Sequence, residues 1–224
     1  MVAMIIVTAA GHGGDDSGAL NPYRPHRPEK AITLEIDGAF AALAGACGHR
    51  VYRVRTGDVR VYLGTIISTA RNVGANLIIE FHVNSVFDSS AQGVEVWALP
   101  DTPSWRLAEM MAGYVAGAAG MVNRGVRTVY PGWSSYGRFV EVRNSLPGTL
   151  HVLTESGFIS NPEDEEKLAN PAIIQAIAHA HLAALHAYAG LRPPKAPGPA
   201  RVPWLLLLFG AVLGGANIWL VRRR

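Results

Sequence analysis

The sequence predicts an α/β domain whose mainly parallel sheet is covered on both faces by helices. Three observations carry this prediction. Apolar runs rich in β-branched residues at 5–10, 76–84 and 150–154 suit strands buried on both sides. Segments with apolar residues at helical spacing lie between them, and such alternation marks parallel β-α-β units. The chain is also long enough, at 224 residues of which 49% are hydrophobic, to bury one sizeable core.

The strand at 5–10 runs into Gly11-His12-Gly13-Gly14, where glycines permit backbone angles and close approaches that side chains forbid. A loop rich in Gly, Pro and Asn covers 15–28, and Pro28 opens a helix because its missing N–H costs nothing in a first turn. Ile32, Ile36, Phe40 and Leu43 give that helix a core face. Glu29 stands in its first turn, where a carboxylate gains from the helix dipole. Cys47, the single cysteine, excludes an internal disulfide and reads as a small buried residue at the helix end. Residues 50–55 alternate around Val51 and Val54 as a short strand, and 58–73 read as a second helix.

The strand at 76–84 places Glu80, His82 and Asn84 on one side near its end. Three polar groups there are costly unless they are paired or bind something. A further strand at 93–99 and a helix over 104–119 precede a long irregular segment, 124–146, that holds Tyr130, Trp133, Tyr136 and Phe139. Those aromatics either cap the core or line a groove for a sugar or peptide. The strand at 150–154 ends on Glu155-Ser156-Gly157-Phe158. Asn161-Pro162-Glu163-Asp164 then opens an acidic first turn. A last helix at 171–188 turns Ile174, Ile177, Ala178, Leu182 and Leu185 inward, while its His179, His181 and His186 read as surface or core-edge residues.

His12, Glu29 and His82 thus each sit at a strand end or a helix start. Two neutral imidazoles and one carboxylate, with a fourth position left for water, make a catalytic zinc set. Glu155 is the candidate for a separate carboxylate that takes and returns a proton. Spacing alone does not establish that these residues converge. A histidine in a glycine turn is also an ordinary loop residue, and Glu29 is also a plain partner of the helix dipole.

A set of linked motifs bears on this. Gly11-His12-Gly13-Gly14 with Asp16 and Gly18-Ala19, Glu29-Lys30, Phe81-His82-Val83-Asn84, Gly93-Val94-Glu95-Val96, Asn123-Arg124-Gly125-Val126 and Glu155-Ser156-Gly157-Phe158-Ile159-Ser160-Asn161-Pro162 resemble the zinc-dependent N-acetylmuramoyl-L-alanine amidases of the Amidase_3 type. The resemblance runs in the right order from residue 4 to about 188. It implies a twisted, mostly parallel sheet of about six strands between helices. It also implies Zn2+ held by His12, Glu29 and His82, with Glu155 as the catalytic carboxylate. The implied substrate is peptidoglycan, cleaved between the lactyl group of N-acetylmuramic acid and the L-alanine of the stem peptide.

This sequence departs from the family pattern at Ala9 and Ala10, where aspartate and then proline are frequent, and at Glu80, where a small hydroxyl residue is common. Glu80, Asn84 and Asn161 are candidates for supporting the ligands or touching substrate. Glu80 reads as an acceptor orienting His82 or His12, and alternatively as a surface carboxylate or a competing ligand. The segment 147–155 is longer than usual in the family, and no long helical insertion of the kind that plugs some regulated relatives separates His82 from Glu155. Two competing classes share the scaffold: a wall-binding module that has lost turnover, and a zinc peptidase or deacetylase.

Composition shifts after the domain expected at 1–190. Residues 191–202 are too proline-rich for helix or sheet and read as a semi-rigid spacer. Residues 203–221 carry no charge and are long enough to span a hydrocarbon core as a helix, and 222–224 are three arginines. Six of the 20 basic residues fall at or beyond Arg192, which leaves 14 against 17 acidic ones before it. The high pI therefore belongs to the tail and does not indicate a nucleic-acid surface. The N-terminus does not read as a secretory signal, lacking a basic n-region and a long apolar run. The expectation is a membrane-associated protein with a single C-terminal span, whose balanced flanking charges leave its orientation open. Gly210 and Gly214 have the spacing that lets two such helices pack as a dimer. A phage endolysin held at the membrane until lysis fits this layout.

Overall fold

Strands buried on both sides need helices above and below, and this chain supplies them unequally. The structure, a computed structural model, describes residues 3–128 and 146–195. In chain order its elements are β1 (Ile5–Ala10), α1 (Glu29–Ala46), β2 (Arg50–Arg53), α2 (Leu63–Val73), β3 (Leu77–Asn84), β4 (Val94–Trp97), α3 (Pro103–Ala119), β5 (Asn123–Arg127), β6 (Leu150–Phe158), α4 (Pro162–Leu168) and α5 (Pro171–Tyr188). Among the described residues the strands form one six-stranded sheet in the order β2-β1-β3-β6-β4-β5. The first four in that order run parallel, β4 runs antiparallel to β6, and β5 runs parallel to β4. This is the mostly parallel α/β sheet flanked by helices that the sequence predicts.

Side-chain alternation assigns the two faces. Ile6, Leu77, Ile79, Phe81, Val83, Val96 and Val152 pack in one buried cluster with Ile32, Ile36 and Phe40 of α1, Leu107 and Met111 of α3, and Ile177 and Leu182 of α5. The opposite face is thinner, with Val7, Ala9 and Ile78 packed on Ile66 and Ala70 of α2. Past Ile78 this second face turns polar. Glu80, His82 and Asn84 follow on β3, and the register brings His151 and Glu155 of β6 and Glu95 of β4 alongside.

Several boundaries differ from the sequence expectation. Helix α2 begins at Leu63 rather than near 58, because Asp58 is engaged in the preceding loop. It accepts from the Gly14 N–H and from Lys30 Nζ, each at 2.8 Å. The segment after 123 begins as strand β5 rather than as an irregular stretch. Strand β6 continues through Glu155 to Phe158, since Glu155 is paired with His82 on one side and Glu95 on the other.

The histidines of α5 divide. His179 is half-buried, whereas His181 and His186 are buried outright rather than at the core edge. The His181 ring stands edge-on to Phe81 at 5.2 Å, and His186 Nε2 lies 2.9 Å from His49 Nε2. Cys47 is half-exposed rather than buried, packed against the edge of the core where α1 ends. Tyr130, Trp133, Tyr136, Phe139 and residues 203–221, with Gly210 and Gly214, lie outside the described residues. Among the described residues no single helix is long and apolar enough to cross a membrane.

Candidate active site

The exit of β1 is stitched to the start of α1 before any site residue appears. Buried Arg55 donates through Nε to the Ala10 carbonyl (2.9 Å) and through Nη2 to the carbonyls of Gly11 (3.0 Å) and Lys30 (2.7 Å). The Thr33 hydroxyl donates to the Gly11 carbonyl at 2.8 Å. From this fixed point the backbone turns at His12 with a φ of 64°, a left-handed conformation uncommon for a residue with a side chain. The turn sends the imidazole toward Glu29 and His82.

The three residues converge. His12 Nε2 lies 3.1 Å from Glu29 Oε2, and His82 Nδ1 lies 3.1 Å from Glu29 Oε1. The two imidazoles stand 5.1 Å apart, nearly perpendicular. One donor atom from each residue falls within 4.8 Å of the others. Backbone groups orient the carboxylate, the Ala19 N–H donating to Oε2 at 2.8 Å and the Val83 N–H to Oε1 at 3.0 Å. Asp16 Oδ1 faces His12 Nδ1 at 3.0 Å, which leaves Nε2 turned inward. A Cβ at Gly18 would fall 2.5 Å from His12 Cδ2 and 2.6 Å from Glu29 Oε2, and one at Gly11 would strike the His82 ring. Both glycines are therefore required by close approach.

The electrostatics follow from this geometry. Burial alone would raise the Glu29 carboxyl, but hydrogen bonds from His12 and His82 outweigh it and hold Glu29 below the usual carboxylate range. Burial opposes charge on His82 too, yet its hydrogen bond to Glu29 and the charges of Glu29, Glu155 and Glu80 push it up to about 9. His12 is raised against burial by Glu29 and Asp16. Two imidazoles and one buried carboxylate, with Asp16 orienting His12 and two backbone N–H groups orienting Glu29, fit a divalent ion of the zinc type.

Glu155 stands one strand away. It is the register partner of His82 on β3 and of Glu95 on β4, and it is buried. The other predicted residues are placed differently. Glu80 Oε1 meets His151 Nε2 at 2.7 Å, so it orients neither His12 nor His82 by direct contact. Asn84 donates through Nδ2 to Glu95 Oε1 at 2.8 Å. Asn161 caps α4, its Oδ1 accepting from the N–H groups of Glu163 and Asp164, while its Nδ2 donates to the Ser89 carbonyl. Sequence reasoning missed Arg55, which carried no local signal. It also missed Glu95, an acid inside the apolar run Val94-Glu95-Val96, a signal of the same kind as Glu80.

The family model described as N-acetylmuramoyl-L-alanine amidase, Amidase_3, matches residues 6–187. The chain belongs to the Amidase_3 family. It is 30% identical over 196 residues to the sporulation-specific N-acetylmuramoyl-L-alanine amidase of Bacillus subtilis, a match covering 86% of this chain and 71% of the relative. It is 32% identical over 177 residues to the probable cell wall amidase LytH of Staphylococcus saprophyticus, covering 77% of this chain but 55% of the relative. Among solved structures, the catalytic domain of CwlV from Bacillus (Paenibacillus) polymyxa superposes with a TM-score of 0.75 at 26% identity, covering 84% of this chain and 99% of that one. AmiC2 of Nostoc punctiforme gives 0.74 at 27% identity, covering 84% and 97%.

Proposed function

We propose that this Amidase_3 chain is a zinc-dependent peptidoglycan hydrolase that cleaves the amide between the lactyl group of N-acetylmuramic acid and the L-alanine of the stem peptide. The observation that carries the reading is the meeting of His12, Glu29 and His82 with Glu155 one strand away. His12, Glu29 and His82 would hold the ion. Bound zinc brings the pKa of a water toward neutrality and polarises a carbonyl. Glu155 accepts the proton of the attacking water and delivers it to the amide nitrogen, so that alanine leaves as an amine. Asp16 keeps the His12 ring in one orientation throughout, and the backbone N–H groups of Ala19 and Val83 keep Glu29 from swinging out.

The test is the identity of the new amino group released when the full chain is incubated with wall sacculi. L-alanine is expected. A different amino acid indicates a peptidase, and a new amino group on a hexosamine of the glycan, with acetate released, indicates a deacetylase. Sedimentation with sacculi and no new amine indicates a wall-binding module.

The uncharged run 203–221 supports a second part of the proposal, a membrane tether for the amidase, of the kind an endolysin held until lysis would use. Gly210 and Gly214 would give two tethers a close packing face. Recovery of the full-length protein in the soluble fraction of expressing cells would exclude the tether.

A further inference from the structure

The His12, Glu29 and His82 cluster lies at one end of a polar strip on the thin face of the sheet. Across β6, the far end of that strip holds Glu95 of β4 and Arg124 and Arg127 of β5. Glu95 is buried. Its Oε1 accepts from Asn84 Nδ2 at 2.8 Å, and its Oε2 accepts from Arg124 Nε at 2.9 Å and Arg127 Nε at 3.2 Å. One carboxylate between two guanidinium groups leaves the cluster with a net positive charge.

Residues three apart on a regular strand point to opposite faces. Here the register skips Arg124, because Val94 pairs with Asn123 and Glu95 with Gly125. Gly125 takes a φ of 77°, and the resulting bulge lets both arginines reach the same oxygen of Glu95. The two guanidinium groups are not equivalent. Arg124 lies 4.8 Å over the Phe158 ring, and its Nη1 donates to the Gln92 carbonyl. Arg127 spends only Nε. Among the described residues its two Nη groups make no hydrogen bond, and its side chain is 42% exposed. Glu95, which anchors it, is the direct cross-strand neighbour of Glu155.

We propose that Arg127, with Arg124 beside it, forms an anion subsite that seats a carboxylate of the substrate's peptide half. The inference rests on the amidase reading, and the chemistry of that substrate selects the half. The glycan half offers hydroxyl and acetamido groups, and its lactyl carboxyl is consumed in the scissile amide. Carboxylates come from the peptide. A guanidinium with Nε already fixed presents a planar pair of donors matched to a carboxylate. Glu95 therefore acts on the reaction as a positioning residue for Arg127, and Arg127 as a specificity determinant.

The experiment uses the full-chain, zinc-loaded protein and two probes, L-alanyl-D-glutamic acid and its α,γ-diamide, which carries no carboxylate, with the matching N-acetylmuramyl dipeptides as substrates. Calorimetry is expected to give about tenfold tighter binding of the acid, and kinetics a correspondingly lower KM for the acidic substrate. Arg127→Gln is expected to erase the difference while kcat and the melting temperature hold, and Arg127→Lys to restore part of it. Equal wild-type affinity for the two probes overturns the subsite. So does a loss in Arg127→Gln that falls equally on both substrates, which would mark Arg127 as a mere prop for Glu95. A protein that binds the acid selectively but cleaves neither muramyl peptide upholds the subsite and overturns the amidase reading instead.

Discussion

His12 carries a full side chain on a left-handed backbone, a conformation that costs on the order of 1–2 kcal/mol for an L-residue. The cost is held in place by neighbours: Asp16 on Nδ1, the Arg55-bound carbonyls before it, and the space left by Gly18. Gly18→Ala puts a methyl where His12 Cδ2 and Glu29 Oε2 already are, on a φ of 64° that alanine resists. The expected outcome is a folded protein with a lowered melting temperature that loses zinc on dialysis, read by metal analysis. Glu155→Gln leaves His12, Glu29 and His82 themselves in place. It is expected to keep wild-type zinc and to lose activity by about 10²–10⁴-fold, whereas His82→Ala loses both. Zinc retained at wild-type stoichiometry in His82→Ala would refute the ligand assignment.

Helix α4 depends on the residue that precedes it. Asn161 closes its N-terminus and ties it to Ser89, so Asn161→Ala is expected to cost about 1–2 kcal/mol, seen as an earlier urea midpoint with kcat unchanged. The same residue illustrates what the sequence makes legible. Asn161-Pro162 before an acidic run announces a helix start through local chemistry, and His12, Glu29 and His82 announce themselves by standing at element ends. Those signals are local, and they yielded the sheet class and the three candidates, whose convergence was implied only by the resemblance to the family. The pairing of Glu80 with His151 was hidden, because it depends on which strand lies beside β3 and in what register. Strand β5 was hidden for another reason. Gly125 and the bulged Arg124 break the alternation that would mark a strand, although that irregularity is what brings two arginines to one carboxylate.

For the molecule as a whole, buried histidines contribute to the loss of stability in acid. Burial drives His181 down to about 4 against its hydrogen bond to the Ile177 carbonyl, and burial with His186 lowers His49. Both hold a proton less readily in the fold than in the unfolded chain, where an ordinary imidazole charges below about pH 6.5. The unfolded state thus binds more protons as pH falls. The stability concerned is fully present above pH 6.5 and is lost toward pH 4, by about 3 kcal/mol for His181. Melting temperatures measured across that range are expected to fall, and to fall less steeply in His181→Leu; identical slopes would contradict the assignment to this residue.

Glu29 is gripped by two backbone N–H groups, and His12 by Asp16, all supplied by the protein itself. Chelation is accordingly expected to abolish hydrolysis while far-UV dichroism stays unchanged, and added zinc to return activity without a refolding delay. If hydrolysis runs on zinc as proposed, the chain would be made and folded while inert. The arrival of an ion, rather than the synthesis of the protein, would then set the moment at which hydrolysis begins.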